Sequence, residues 1–360
     1  MTEAVTPVRA PDPVDWATAR TVARIVAGRD PLVSSYLGAS LDADFGALTV
    51  VAEELVADHT GLHAPGHVRA VVLDRREWVD SNLASMRNML DPLMQRFGEQ
   101  MARNPFAPIG RRVAATEMGA LLGYVAQRVL GQYDLLVPDD RGEAVYYVGA
   151  NVLGLEKRFA FRPRDFRLWI AIHEVTHRAQ FQGVPWMREY FLSLVHQVFE
   201  LVDPDPRTFA RALSNAVDAI KQGQNPLDEG GIVTLIATPE QRGVLDQVQA
   251  LMSLLEGHGN VVMTDLGAKH VAGEERMARV LHQRRQTGGI AQQIQKLLGL
   301  EQKMRQYEVG EKFVRGVLDI GGPRAIDHAW VAPENLPMLS ELDDPGSWLV
   351  RVQKLHAAGL

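Results

Sequence analysis

The sequence predicts a mostly helical α+β protein with a small β-sheet and large helical flanks. Three observations carry that expectation. From Asp165 to Gln182 there is no Gly or Pro, and Phe166, Trp169, Ile170, His173, His177 and Phe181 fall on one stripe. Their spacings of three and four are the period of an amphipathic helix. Similar helical patterns recur along the chain, whereas Ala144 to Val152 is the best strand candidate. A hydrophobic content of 46% over 360 residues supports a substantial core, enough for one large domain or two ordinary ones.

The elements follow in chain order. Asp12 can cap a first helix over Pro13 to Ala27. Further helices are expected over Phe45 to Val56, Arg75 to Arg103 and Arg112 to Leu130. In the last of these, Gly119 and Gly123 stand four apart, a spacing that suits close helix packing; the flanking Glu117 and Arg128 argue against a membrane dimer. Asp139 to Gly142 reads as a turn before the strand. A strand placed just ahead of the 165–182 helix could form a sheet edge that pairs with an extended substrate backbone. The alternative is a buried strand without a substrate role.

Beyond that helix, Glu189 to Leu201 is helical, Asp203-Pro-Asp-Pro206 is a break, and Arg207 to Gln222 is helical again. Gln224 to Thr234, rich in Gly, Asn and Asp, is a loop and a candidate lid. Thr238-Pro239-Glu240-Gln241 starts a helix, with Thr as cap, Pro at the first turn and Gln three residues after the cap. That helix carries Leu245, Val248, Met252 and Leu255 as its apolar stripe. Glu274 to Gln286 is amphipathic, and its Arg276, Arg279, Arg284 and Arg285 read as a solvated face rather than a phosphate site. Thr287-Gly-Gly289 breaks it, and Ile290 to Leu298 resumes. No internal repeat or low-complexity segment is present. Residues 1–13 are expected to be a disordered tail and 14–352 one unit, with a helical region 14–135, a core 136–270 and a helical region 271–352.

Charge and composition exclude several classes. A net charge of −6 argues against a general nucleic-acid binder. With no cysteine, neither disulfides nor thiolate metal sites can form. Met1 to Pro13 lacks the apolar core of a signal peptide. No stretch approaches the ~18 apolar residues of a membrane span. The expectation is a cytoplasmic protein with no membrane insertion.

The densest chemistry lies in His173-Glu174-Val175-Thr176-His177, an H-E-x-x-H sequence. On a helix, positions i and i+4 share a face, so His173 and His177 can close on one metal ion. Glu174 is turned about 100° from His173, where it can reach a water on that ion without binding the ion itself. Catalytic zinc usually takes three protein ligands and a water, so a third ligand is needed. The extended metzincin spacing is excluded, because Gln180 and Gly183 stand where its Gly and His would be. Glu189 and Glu200 follow Pro185 and are available. Glu256 is the better candidate: it continues the line from Leu245 through Gln249 and Met252 and borders the buried face. His258 lies about 200° away on a regular helix, so both cannot bind one ion unless Gly257 and Gly259 break the helix. Asn260, four residues after Glu256, could orient a ligand from behind.

With these residues in view, the chain resembles the zincin-like metallopeptidase family of bacteria. Within it, the chain is similar to the branch named for its association with deazaflavin-coenzyme biosynthesis. The matching segments include Leu130-Gly-Gln-Tyr-Asp134, Tyr146-Tyr-Val-Gly-Ala-Asn151, the stretch from Asp165 to His177 and Pro185-Trp186. They continue with Leu254-Leu-Glu-Gly257, Lys303-Met-Arg-Gln-Tyr307 and Pro333-Glu-Asn-Leu-Pro337. The resemblance implies a zincin-like core and a zinc-dependent hydrolase of peptidase type, with one Zn2+ per chain. It also favours Glu256 over His258 as the third ligand, since Glu256 falls in a Glu-Gly pair shared across branches. In that reading Glu174 is the general base, and His258, Tyr307 and Arg305 are candidate donors to the oxyanion. A catalytically inactive zinc-binding or partner-binding protein, or a non-peptidase amide or ester hydrolase, is the alternative.

Overall fold

Helices dominate the computed structural model, which describes residues 14–29, 36–101, 107–135, 143–200, 239–286 and 300–357. A small three-stranded sheet accompanies them, in line with the predicted mostly helical α+β class. The chain forms two units, Met1–Gly46 with Val68–Ala160 and Ala47–His67 with Phe161–Leu360. The division falls inside helix α2 (Leu41–Thr60), which is longer at both ends than the predicted Phe45 to Val56.

In the first unit, α1 (Trp16–Ala27) is capped by Asp15, whose carboxylate accepts from the Thr18 amide at 3.0 Å and the Thr18 hydroxyl at 2.7 Å. The cap is therefore Asp15 and not Asp12. A carboxylate three residues ahead of Thr18 reaches an otherwise orphaned helix amide. The Ala19, Ala23 and Ala27 face of α1 is buried, and α4 (Ala107–Ala126) packs on it. The glycine spacing does what it predicts. A Cβ at Gly119 would sit 2.4 Å from the Ala19 carbonyl oxygen, and one at Gly123 would sit 2.5 Å from that of Ala23. Helix α3 (Arg75–Met101) adds Trp78, Val79 and Leu83 to the same core.

Strands β1 (Arg69–Leu73), β2 (Gly131–Tyr133) and β3 (Ala144–Val148) form the sheet in the order β1-β3-β2. Strand β3 pairs parallel with β1 and antiparallel with β2, and all five of its residues are buried. Two expectations are corrected here. The strand ends at Val148, because Gly149 opens helix α5 (Gly149–Phe159). A Cβ at Gly149 would lie 2.8 Å from Leu41 Cδ1 and 2.9 Å from Val72 Cγ1, so a side chain there would have to displace both methyl groups. The strand is also not an edge: both its sides are already hydrogen-bonded, which leaves no ladder for a substrate backbone. The buried-strand alternative holds.

The second unit holds α6 (Pro163–Gln182), α7 (Met187–Glu200), α8 (Pro239–His270) and α9 (Glu274–Gln286). After these come α10 (Leu300–Gly321), three short 3-10 turns between Ala325 and Glu341, and α11 (Pro345–Ala357). Helix α8 runs for 32 residues without a break at Gly257 or Gly259. The glycine at 257 serves a contact instead. A Cβ there would lie 2.2 Å from the Gly310 carbonyl carbon, and one at Gly310 would lie 1.9 Å from the Ser253 oxygen. Helices α8 and α10 thus cross backbone against backbone. Gly310→Ala is expected to lower stability by about 3 kcal/mol despite its better helix propensity. A urea midpoint unchanged from wild type would contradict that.

The core of this unit includes Phe166, Ile172, Leu254, Leu255, Phe313 and Trp348. The Trp348 indole donates to the Asn335 carbonyl at 2.7 Å and meets the Phe313 ring edge-on at 5.4 Å. The expected tail 1–13, turn 139–142, break 203–206, helix 207–222, loop 224–234 and helix 290–298 lie outside the described residues. Among the described residues no helix is long and apolar enough to cross a membrane.

Candidate metal centre

Helix α6 starts with Pro163 at its first turn, where the missing amide costs nothing, and acquires an acidic Asp165 there. Its apolar stripe buries Phe166, Trp169 and Ile170, which fixes the rotation of the helix. The next two turns of that stripe carry His173 and His177. Across from them α8, which packs on α6, presents Glu256. His173, His177 and Glu256 each offer one ligand atom, and these atoms all lie within 4.8 Å of one another. The two imidazole Nε2 atoms are 3.2 Å apart; Glu256 Oε2 is 3.9 Å from that of His173 and 3.7 Å from that of His177.

That triangle fits an ion. Ligand atoms held about 2.0–2.1 Å from a tetrahedral zinc are separated by about 3.3 Å. Their side chains are 19%, 15% and 14% exposed, so the cluster is shielded but still reached by solvent. The helix-facing glycine also matters. A Cβ at Gly259 would touch Cε1 of both histidines at 3.4 Å, so any longer side chain would crowd the imidazoles. Glu174, beside the cluster in sequence, is 7% exposed. The cluster does not include Glu189 or His258, and the Glu200 side chain is outside the described residues.

His258 sits instead behind the cluster. Its Nδ1 lies 3.0 Å from Gln180 Nε2, and its ring meets Trp330 edge-on at 5.0 Å. Burial, with lesser repulsion from His59 and His177, drives its pKa down to about 3, so the ring is neutral over the physiological range. Asn260 is buried on α8 as well. Tyr307 and Arg305 belong to α10, but their side chains lie outside the described ones.

Two residues that the sequence pattern did not single out hold α6 in place. Gln180, fully buried, has its Oε1 2.9 Å from His177 Nδ1 and its Nε2 2.9 Å from the Leu255 carbonyl. A partner for the far nitrogen of a ligand histidine is what a metal site needs. Arg178, also buried, donates to Glu53 Oε1 at 3.0 Å and to the carbonyls of Pro65 and Gly66 at 2.5 and 3.3 Å. Glu53 in turn meets His67 Nδ1 at 2.7 Å. The guanidinium directly after His177 therefore ties the helix to α2 and to the loop that follows it. Neither residue has a local signature: each is a polar residue in an otherwise helical run.

A profile of a family described as zincin-like metallopeptidase matches residues 14–349. A crystal structure of a candidate hydrolase with a novel fold, from Chloroflexus aurantiacus, superposes with a TM-score of 0.69. The two chains are 33% identical, over 94% of this chain and 99% of that one. No curated protein matches the chain.

Proposed function

The chain belongs to the zincin-like metallopeptidase family, and on that premise we propose that it is a zinc-dependent hydrolase cleaving a peptide or amide bond. The observation that carries the proposal is the convergence of His173, His177 and Glu256 beside a glutamate that the helix offsets from the two histidines. In this reading His173 and His177 hold the ion through Nε2, and Glu256 supplies a carboxylate that offsets its charge. Zinc, when bound, supplies Lewis acidity and activation of water at neutral pH. Glu174 takes the proton of the attacking water and delivers it to the leaving nitrogen. Shielding by the surrounding helices strengthens each of these electrostatic contacts. His258, Tyr307 and Arg305 remain the candidate donors to the oxyanion on sequence grounds; a His258 Nδ1 that accepts from Gln180 leaves the proton of the neutral ring on Nε2.

Within the family we place the chain in the branch named for deazaflavin-coenzyme biosynthesis, on the segments quoted above; that association names no substrate. The test is a peptide-library digest by the purified protein, with and without chelator. Cleavage that chelator stops and added zinc restores is expected. A protein that retains zinc yet cleaves neither peptides nor a panel of small amides and esters would be a binding protein and not a hydrolase.

A further inference from the structure

The hydrogen bonds around Gln180 leave one arrangement of protons. Its side-chain amide faces two acceptors on one end and a histidine on the other. The Leu255 carbonyl, 2.9 Å from Gln180 Nε2, can only accept. The amide nitrogen must therefore point toward Leu255. The opposite orientation would set the amide oxygen against the Leu255 carbonyl oxygen at that distance in a fully buried site, with no proton between them. With the nitrogen so fixed, its second N–H is directed at His258 Nδ1 at 3.0 Å, which must accept. The amide oxygen is left facing His177 Nδ1 at 2.9 Å, and that nitrogen must donate.

From this we propose that Gln180 sets the tautomer of His177: the proton is held on Nδ1, and Nε2 presents a bare lone pair to the centre before any ion arrives. The inference deepens the zinc reading above and rests on it for its purpose, though not for its geometry. The chain that enforces the arrangement spans two helices. The backbone carbonyl of Leu255 belongs to the turn of α8 that also carries Glu256. The same turn thus supplies one ligand directly and orients another through Gln180. A free imidazole in water favours the Nε2–H form modestly, which is the wrong form for a ligand at Nε2. Gln180 is thus a positioning residue, acting on the ion only through His177.

Neutral imidazole tautomers are distinguished by nitrogen-15 spectroscopy of the zinc-free, full-length protein, with His177 identified by the signal missing from His177→Ala. Wild type is expected to show Nδ1–H at His177. Gln180→Leu, which keeps the bulk and removes the polar groups, is expected to shift His177 toward Nε2–H and to weaken zinc binding about 10- to 100-fold. A loss of zinc affinity from packing alone would leave the tautomer unmoved in Gln180→Leu, and that result would overturn the proposal. So would Nε2–H at His177 in the wild type, a measurement that requires no Gln180 variant to fold. A wild-type protein with Nδ1–H at His177 that takes up no zinc upholds the tautomer assignment and overturns the zinc reading alone.

Discussion

His173→Ala and His177→Ala are each expected to reduce the zinc content of the purified protein from about one ion per chain to near zero. Three protein atoms make the site, and two cannot hold a divalent ion against dilution and chelation. Glu256→Ala should behave in the same way, because its Oε2 closes the triangle with both imidazoles at 3.7 and 3.9 Å. His258→Ala is the discriminating control. Its Nδ1 accepts from Gln180 and it lies outside the cluster, so zinc should be kept, with affinity reduced at most through the disturbed Gln180 amide. Metal analysis of the four proteins decides the matter. Full zinc in Glu256→Ala, with loss in His258→Ala, would make His258 the ligand and require a different α8 rotation from the one described.

Glu174→Gln should keep the zinc and lose hydrolysis by a factor of about 10²–10⁴. The substitution preserves size and hydrogen-bonding reach and removes only the basicity. Glu174 is buried on the first turn of the motif, so a like-shaped amide should disturb the fold little. Loss of both metal and activity would mean that the carboxylate supports the site and does not move protons. Normal cleavage by Glu174→Gln would eliminate it as the base.

The candidate cluster of His173, His177 and Glu256 is legible one helix at a time, because each helix carries its own local pattern. His173, Glu174 and His177 obey a helical spacing, and Glu256 continues an apolar stripe into a Glu-Gly pair. What periodicity cannot convey is which distant group a polar residue meets. Gln180 takes its role from the Leu255 carbonyl, 75 residues away in sequence, and Arg178 takes its role from Glu53, 125 residues away. Gly257 was visible as a possible helix break; its use as a contact depends on Gly310 lying opposite. The fold divides in the same way. The amphipathic helix α9 has the bounds its period predicts, other helices differ from their expected bounds by a few residues, and β1 and β2, five and three residues long, are not singled out by the pattern. The run Ala144 to Ala150 carries no charged residue, so the change from strand to helix at Gly149 leaves no polar break in the pattern.

The donor atoms of the centre are divided between α6 and α8, and that division has a thermodynamic consequence. An unfolded chain cannot bring atoms from both helices to one ion, so any ion that binds does so at the expense of the unfolded state. Free zinc at about 100 times its dissociation constant would add about 2.7 kcal/mol to the unfolding free energy of the unit. The thermal midpoint of this protein then becomes a gauge of the metal activity around it, readable with no substrate in hand.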